Sequence, residues 1–152
     1  MAGGVEQKRA SMVGSPKGRA MKLLTITWQR LVKEGQTCDR CGGTQLELQK
    51  AVNRLQGALA PLGFEPRLET QQIDEPDFQA SPLESNRIWI AGVPIEDWLG
   101  ASVGASRCCA ACGDADCRTV SVDDLTFETI PAALIVKAAL AAAVRMRRSE
   151  DP

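Results

Sequence analysis

The spacing of apolar residues along the first part of the chain predicts a strand followed by a helix. Residues 22–32 (KLLTITWQRLV) alternate apolar and polar side chains and are rich in strand-forming residues, as half-buried strands are. Thr44 and Glu47 have the spacing of a capping box, so we expect a helix to begin at this point. Apolar residues then recur at steps of three and four positions up to Gly63, which predicts one buried helix face: Leu48, Val52, Leu55, Leu59 and Leu62.

The rest of the chain alternates short strands with turns and ends in a helix. Residues 64–70 (FEPRLET) predict a second strand, placed at a sheet edge because its proline cannot donate a ladder hydrogen bond. Residues 87–91 (RIWIA) predict a third strand. The segments 118–122 and 125–130 are separated by an Asp-Asp turn signal and predict a hairpin, and residues 132–147 predict the final helix.

The order of these elements is similar to the thioredoxin fold. A β-α-β unit is followed by β-β-α, and a Cys-x-x-Cys motif comes directly after the first strand. We therefore predict an α/β protein with a thioredoxin-like core, in which a cysteine-rich loop and an extra hairpin are inserted before the C-terminal helix. Residues 1–20 are basic and Gly/Ser-rich, which predicts a disordered extension. We expect one domain over residues 21–148 and a flexible tail over residues 149–152.

Composition and charge exclude several classes of function. The chain has 152 residues, of which 44% are apolar, and this suffices for one ordinary hydrophobic core. Its net charge of −1 argues against a broad electrostatic surface for nucleic acid or acidic membranes. No apolar run reaches the roughly 18 residues that a membrane span needs. We therefore expect no nucleic-acid partner and no association with a membrane.

The chain contains six cysteines and no histidine, which limits the chemistry available to it. Cysteine–histidine pairs and histidine-ligated metal centres are impossible, so any ligands must come from thiols, carboxylates or lysine. The N-terminal residues lack the apolar segment of a secretory signal, so we expect a cytoplasmic protein. In that reducing compartment, cysteines bind metals or take part in redox chemistry more often than they form structural disulfides.

Two copies of the motif Cys-x-x-Cys-Gly predict a metal site. One contains Cys38 and Cys41, and the other contains Cys109 and Cys112. This spacing lets two thiolates converge on one ion, and two such motifs supply the four thiolates of a common structural zinc site. Thiolates also suit iron–sulfur clusters and soft ions such as Cu(I), Hg(II) and As(III). We therefore predict that these four cysteines bind zinc or another thiophilic metal or metalloid ion.

Cys108 and Cys117 lie beside the second motif and complete a set of six candidate metal ligands. We expect them to act as accessory or exchange thiols, or as members of a three-thiolate pocket for a metalloid. Arg107 and Arg118 flank the cluster, and their charge is expected to favour thiolates. Such a site predicts a thiol-redox or metal-handling protein as a partner.

The first motif also fits a second function, which is thiol–disulfide exchange with Cys38 as nucleophile and Cys41 as the resolving thiol. Two features count against an efficient enzyme of this kind. The predicted helix begins after the pair, which weakens the influence of the helix N-terminus on the thiols. Residues 84–88 (ESNRI) also lack the cis-proline that thioredoxin-like enzymes carry before the third strand. A purely structural zinc module is a third alternative.

From Met21 onwards the chain resembles an uncharacterised family of small, cysteine-rich bacterial and archaeal proteins, catalogued as a domain of unknown function. The residues that carry the resemblance are WQRLV (28–32), GQTCDRCGGT (35–44), SNRIWIAGVPIEDWLGA (85–101), CCAACGDADCR (108–118) and IPAALIVKAAL (130–140). The resemblance implies a thioredoxin-like core and a domain that starts at Met21. It also implies that the six cysteines form one constellation, and it brings no activity with it.

Overall fold

The computed structural model describes residues 20–108 and 112–150, and within them it contains two β-sheets and four α-helices. The strands are β1 (Lys22–Leu31), β2 (Phe64–Ile73), β3 (Arg87–Ile90), β4 (Val93–Pro94), β5 (Ser102–Arg107), β6 (Asp116–Val122) and β7 (Leu125–Phe127). The helices are α1 (Asp39–Leu59), α2 (Glu75–Ala80), α3 (Ile95–Leu99) and α4 (Ala132–Glu150). The chain is thus a mixed α/β protein, as predicted. The extension predicted over residues 1–20 lies outside the described residues, apart from Ala20.

Strand β1 lies inside the first sheet, whose strand order is β2-β1-β3-β4. It pairs in parallel with all ten residues of β2 and antiparallel with β3. Leu24, Ile26 and Trp28 of β1 are fully buried, which accounts for the alternating pattern of the sequence. Strand β2 forms one edge of the sheet, which confirms the position predicted from its proline.

Helices α1 and α4 pack against each other and against the first sheet. The buried side chains of α1 include Leu48, Leu55 and Leu59, whereas the buried face of α4 consists mainly of alanines. Helix α4 continues past Arg147 to Glu150, so that the first two residues of the expected tail are helical. Among the described residues, no helix is both long and apolar enough to cross a membrane.

Helix α1 begins earlier than the capping-box pattern predicts. Its first residue is Asp39 and its N-cap is Cys38, so the prediction that the helix begins after the cysteine pair is wrong. The hydroxyl of Thr44 instead accepts a hydrogen bond of 3.2 Å from the Ile130 amide, and the Glu47 carboxylate accepts one of 3.0 Å from the Ala132 amide. The two side chains therefore satisfy backbone amides at the start of α4 and not at the start of their own helix.

The second sheet has the order β5-β6-β7 and lies, in sequence, between α3 and α4. Strands β6 and β7 form the hairpin that the sequence predicts. Strand β5 (SVGASR) is not predicted by the pattern, because its residues are small or polar and most of them are exposed. It pairs antiparallel with β6 along its whole length, from Ser102↔Ser121 to Arg107↔Asp116. This sheet carries cysteines at the end of the β5–β6 hairpin.

Candidate thiol site

The first cysteine pair lies at the N-terminus of α1. Cys38 is the N-cap residue, with an extended backbone (ψ 168°), and its carbonyl accepts a hydrogen bond of 2.8 Å from the Gly42 amide. Cys41 lies one turn further along the helix, and the two residues are 9% and 2% exposed. Because the first amides of a helix have no intrahelical acceptors and carry partial positive charge, they favour an anion at the N-cap. This position therefore suits a thiolate at Cys38.

The surroundings of Cys41 keep its thiol protonated. Its hydrogen bond to Cys38 raises the pKa of Cys41 far above the usual range, and burial raises it further. Ser85 and Thr37 oppose this effect through hydrogen bonds to the Cys41 sulfur, and the distance from Ser85 Oγ to that sulfur is 3.6 Å. The site therefore opposes ionisation of Cys41.

Ser85 comes from the segment that precedes β3. Its hydroxyl oxygen accepts a hydrogen bond of 3.0 Å from the Leu31 amide at the end of β1, which fixes the hydroxyl beside Cys41. The described residues contain no cis peptide bond, in keeping with the absence of a proline from residues 84–88. The sequence does not single out Ser85, because it reaches Cys41 only through the tertiary fold. Thr37 directly precedes Cys38, but its residue type gives no signal of the contact.

Three further cysteines meet at the end of the β5–β6 hairpin. The sulfurs of Cys108, Cys112 and Cys117 all lie within 4.8 Å of one another, and all three residues are buried. Cys108 and Cys117 form a disulfide with a Cα–Cα distance of 5.1 Å. The Cys108 amide also donates a hydrogen bond of 3.0 Å to the Ala115 carbonyl, which closes the hairpin. Two residues expected to be accessory thiols are therefore bonded to each other.

A cavity of about 340 Å³ is lined by one cysteine of each group, Cys38 and Cys112. Its other lining residues are Leu31, Lys33, Glu34, Gln36 and Thr37. Lys33 and Gln36 exchange backbone hydrogen bonds of 2.8 and 3.0 Å across a tight turn, in which Gly35 has a φ of 77°. This turn is exposed, so the cavity has a polar, solvent-facing side next to Cys38.

Arg40 connects the first motif to the second sheet. Its Nη2 atom donates hydrogen bonds of 2.8 Å to the Ser106 hydroxyl, 2.8 Å to the Arg107 carbonyl and 2.7 Å to the Glu128 carboxylate. The Arg40 side chain is only 8% exposed, although that of Glu128 is 56% exposed. Because Arg40 lies between Cys38 and Cys41 and Arg107 precedes Cys108, this contact fixes the position of one cysteine group relative to the other.

The two arginines that flank the second group are held by carboxylates. Arg107 forms an exposed ion pair of 2.9 Å with Asp114. Arg118 is buried and pairs with Glu96 of α3, and it also donates a hydrogen bond of 3.0 Å to the Leu83 carbonyl. Burial lowers the pKa of Arg118, and the charge of Glu96 opposes this effect. Arg118 therefore anchors β6, the strand that carries Cys117, to the first part of the fold.

The predicted metal ligands fall into two groups in the structure. Cys38 and Cys41 form one group at the start of α1, whereas Cys108, Cys112 and Cys117 form the other. Cys109 lies outside the described residues, so a four-thiolate site of Cys38, Cys41, Cys109 and Cys112 stays a prediction.

The fold and its cysteine site define a mixed α/β protein with cysteines at a helix N-terminus and at the end of a β-hairpin. The profile of DUF2703, described as a domain of unknown function, matches residues 24–139, and the chain belongs to this family. It is also similar to an uncharacterised protein of Archaeoglobus fulgidus, with 46% identity over 112 residues. That match covers 74% of this chain and 82% of the archaeal protein. No solved structure matches the chain.

Proposed function

We propose that the protein is a thiol–disulfide oxidoreductase with a thioredoxin-like core, in which Cys38 is the nucleophile and Cys41 the resolving thiol. One observation carries the proposal: Cys38 is the N-cap of α1, and Cys41 is buried one turn along the helix. A thiolate is the attacking species in disulfide exchange, and helix N-termini favour it. The early start of α1 removes the objection that the helix follows the cysteine pair.

The strand arrangement supports a thioredoxin-like core. Strands β1 and β2 are parallel and are connected through α1, while β3 and β4 form an antiparallel pair on the other side of β1. Helix α4 is the last element among the described residues, and it packs against β1 and β3. The sheet of β5, β6 and β7 is then an insertion before the last helix. This arrangement matches the β-α-β and β-β-α order that the sequence predicts.

The reaction transfers two electrons to a substrate disulfide. The Cys38 thiolate attacks one substrate sulfur, so that a mixed disulfide forms and the other substrate sulfur leaves as a thiolate, which takes a proton from water. Cys41 then releases its proton to solvent and attacks the Cys38 sulfur. The Cys38–Cys41 disulfide forms, and the second substrate sulfur leaves and is protonated. An external dithiol reduces the Cys38–Cys41 disulfide and completes the cycle, as the reducing cytoplasm allows.

The test is the reduction of insulin disulfides by dithiothreitol in the presence of the protein. We expect Cys38→Ser to abolish the acceleration and Cys41→Ser to accumulate a mixed disulfide between Cys38 and the substrate. The matched control is Cys117→Ser, which also removes one buried cysteine but leaves the pair intact and should retain the acceleration. Turnover that does not depend on Cys38 would rule out the proposal.

A second candidate function, binding of a soft metal or metalloid ion, is favoured by the three clustered sulfurs. Once the Cys108–Cys117 disulfide is reduced, Cys108, Cys112 and Cys117 offer three thiolates from sulfurs within 4.8 Å of one another. Three thiolates suit a three-coordinate thiophilic ion, whereas zinc requires a fourth ligand.

Metal uptake by the reduced protein tests the second function separately from the first. Metal binding predicts that anaerobically reduced protein takes up about one Zn(II) or As(III) ion per chain. Uptake should be lost in Cys112→Ser and kept in Cys38→Ser if the three-sulfur cluster is the site. Loss of uptake in Cys38→Ser would instead favour a site that includes the first motif. The partner would be a thiol-redox protein for the first function and a metal-handling protein for the second.

A further inference from the structure

Cys112 is close to the buried Cys108–Cys117 disulfide and also to the cavity that Cys38 lines. The sulfur of Cys112 is within 4.8 Å of both disulfide sulfurs, and Cys112 lines the same cavity as Cys38. We infer that the Cys108–Cys117 disulfide is an internal substrate of the Cys38–Cys41 pair and that Cys112 passes the electrons between them. This inference rests on the proposed function and specifies a second redox centre for it.

The cavity argues for an internal route to this disulfide. Cys117 is only 2% exposed, and Cys108, at 8%, is as buried as Cys38 at 9%. What distinguishes Cys38 is the cavity, because Cys38 lines it and neither disulfide cysteine does. Cys38 borders a cavity whose other side is formed by an exposed turn, so an external dithiol can approach that end of the path. Electrons therefore enter at the first motif and reach the buried disulfide from inside.

The distances favour an intermediate cysteine over direct transfer. Cys38 and Cys41 do not belong to the described group of sulfurs that lie within 4.8 Å of one another, whereas Cys112 does. An S–S bond is about 2.05 Å long, so Cys112 must approach Cys108 or Cys117 by no more than about 3 Å, which a change of side-chain rotamer covers. The hydrogen bonds from Arg40 to Ser106 and Arg107 keep α1 and the hairpin in place during the exchange.

The proposed electron relay from the Cys38–Cys41 pair through Cys112 to the buried disulfide consists of three thiol–disulfide exchanges. The Cys112 thiolate first attacks one sulfur of the Cys108–Cys117 disulfide, and the other sulfur leaves and takes up a proton. The Cys38 thiolate then attacks the Cys112 sulfur, and the second sulfur of the former disulfide leaves and is protonated. Cys41 finally attacks the Cys38 sulfur and releases its proton, which returns Cys112 as a thiolate. Two electrons move from Cys38 and Cys41 to Cys108 and Cys117, and a thioredoxin-class dithiol reduces the new Cys38–Cys41 disulfide.

The relay can be measured as the rate at which the buried disulfide is reduced. Full-length protein containing the Cys108–Cys117 disulfide is mixed with reduced thioredoxin, quenched by alkylation at intervals and digested for mass spectrometry. We expect Cys112→Ser to slow the appearance of alkylated Cys117 by roughly 100-fold or more, because an intramolecular reaction loses its high effective concentration. Cys38→Ser should slow it to a similar extent, whereas Cys112→Ser should still accelerate insulin reduction.

A second variant traps the intermediate and does not depend on a rate. In Cys41→Ser the last exchange is blocked, so a reduced sample treated with one equivalent of diamide should accumulate a peptide in which Cys38 is linked to Cys112. A link from Cys38 to Cys109 instead would overturn the role of Cys112. Reduction of the buried disulfide at the unaltered rate in Cys112→Ser and Cys112→Ala would overturn the relay but not the proposed function. If the unaltered protein does not accelerate insulin reduction, the proposed function itself fails, and the relay with it.

Discussion

The Nη2 atom of Arg40 donates a hydrogen bond of 2.8 Å to the backbone carbonyl of Arg107, a residue 67 positions further along the chain. Arg40 belongs to the Cys-x-x-Cys motif, and Arg107 is the last residue of β5, directly before Cys108. A single guanidinium thus holds the start of α1 against the strand that carries the second cysteine group. A carbonyl acceptor leaves no sequence signal, so this contact becomes visible only in the fold.

Arg40→Lys should lower the stability of the protein by about 1–2 kcal/mol. The lysine side chain is one atom shorter than that of arginine, so its ammonium group does not reach the position of Nη2, from which Arg40 contacts Ser106, Arg107 and Glu128. The measurement is the free energy of unfolding in urea. Arg54→Lys, an exposed position on the same helix, is the matched control and should change it by less than about 0.5 kcal/mol. Equal effects of the two substitutions would mean that the contact contributes nothing.

The stability of the reduced, metal-free protein should fall as the pH rises above the ordinary range of a thiol pKa. Because the folded-state pKa of Cys41 is raised, the folded protein keeps this proton after the unfolded chain has lost it at about pH 8.5. The contribution of Cys41 is therefore complete below that pH and decreases above it by about 1.4 kcal/mol per pH unit.

This pH dependence can be assigned to Cys41 by comparison with Cys41→Ala. Urea unfolding of both proteins under anaerobic conditions, between about pH 7 and about pH 10, gives the two slopes. The unaltered chain should show the steeper fall, by the equivalent of one proton. Parallel slopes would contradict the raised pKa.

Two adjacent glycines of α1 should respond oppositely to alanine. A Cβ atom at Gly42 meets no atom within 4 Å, so Gly42→Ala should stabilise the helix by about 0.5–1 kcal/mol. A Cβ atom at Gly43 would lie 3.0 Å from Oγ1 and 3.1 Å from Cγ2 of Thr129. Gly43→Ala should therefore destabilise the protein by about 1 kcal/mol.

A double-mutant cycle tests whether this crowding is the cause. Thr129→Ala removes the two atoms that the new Cβ would approach. The combined Gly43→Ala and Thr129→Ala variant should accordingly lose less stability than the sum of the two single changes, measured by thermal or urea unfolding. Strict additivity would show that Thr129 does not limit the packing of α1.

The buried pair of Arg118 and Glu96 should be costly to break. Glu96→Gln leaves a buried guanidinium without its counter-charge and should lower the free energy of unfolding by about 3 kcal/mol. Glu75→Gln, which breaks the exposed pair with Lys33, is the control and should cost less than about 1 kcal/mol. The double variant Glu96→Leu with Arg118→Met should lose less than Glu96→Gln alone, because no unpaired charge is buried.

Local patterns predicted most of the first sheet and its helices. The alternation of residues 22–32 and the helical repeat of leucines reflect a buried face that recurs at every second strand residue and every third or fourth helix residue. The proline of β2 reflects its place at the edge of the sheet. Because each pattern repeats along its element, one atypical residue does not hide it. Strand β5 lacks such a repeat, because it is held by backbone pairing to β6 and buries little apolar area.

The site was harder to predict because its parts meet over long distances in the sequence. The sequence predicts the Cys38–Cys41 motif from its local spacing, but it does not predict that the motif lies at the start of the helix. The side chains of Thr44 and Glu47 have the sequence spacing of a cap, yet they bind the amides at the start of α4. Ser85 reaches Cys41 across 44 positions, and no periodic pattern records a contact of that kind.

The edges of the first sheet bear on how separate copies of the chain behave. Strand β2 exposes Glu65, Arg67 and Glu69 and contains a proline, whereas β4 at the opposite edge has two residues, one of them Pro94. Charges, prolines and short strands all deter a strand from another molecule from adding to a sheet. The first sheet is therefore protected from edge-to-edge pairing between copies. The five described cysteines are buried as well, so the folded state also disfavours disulfides between two copies.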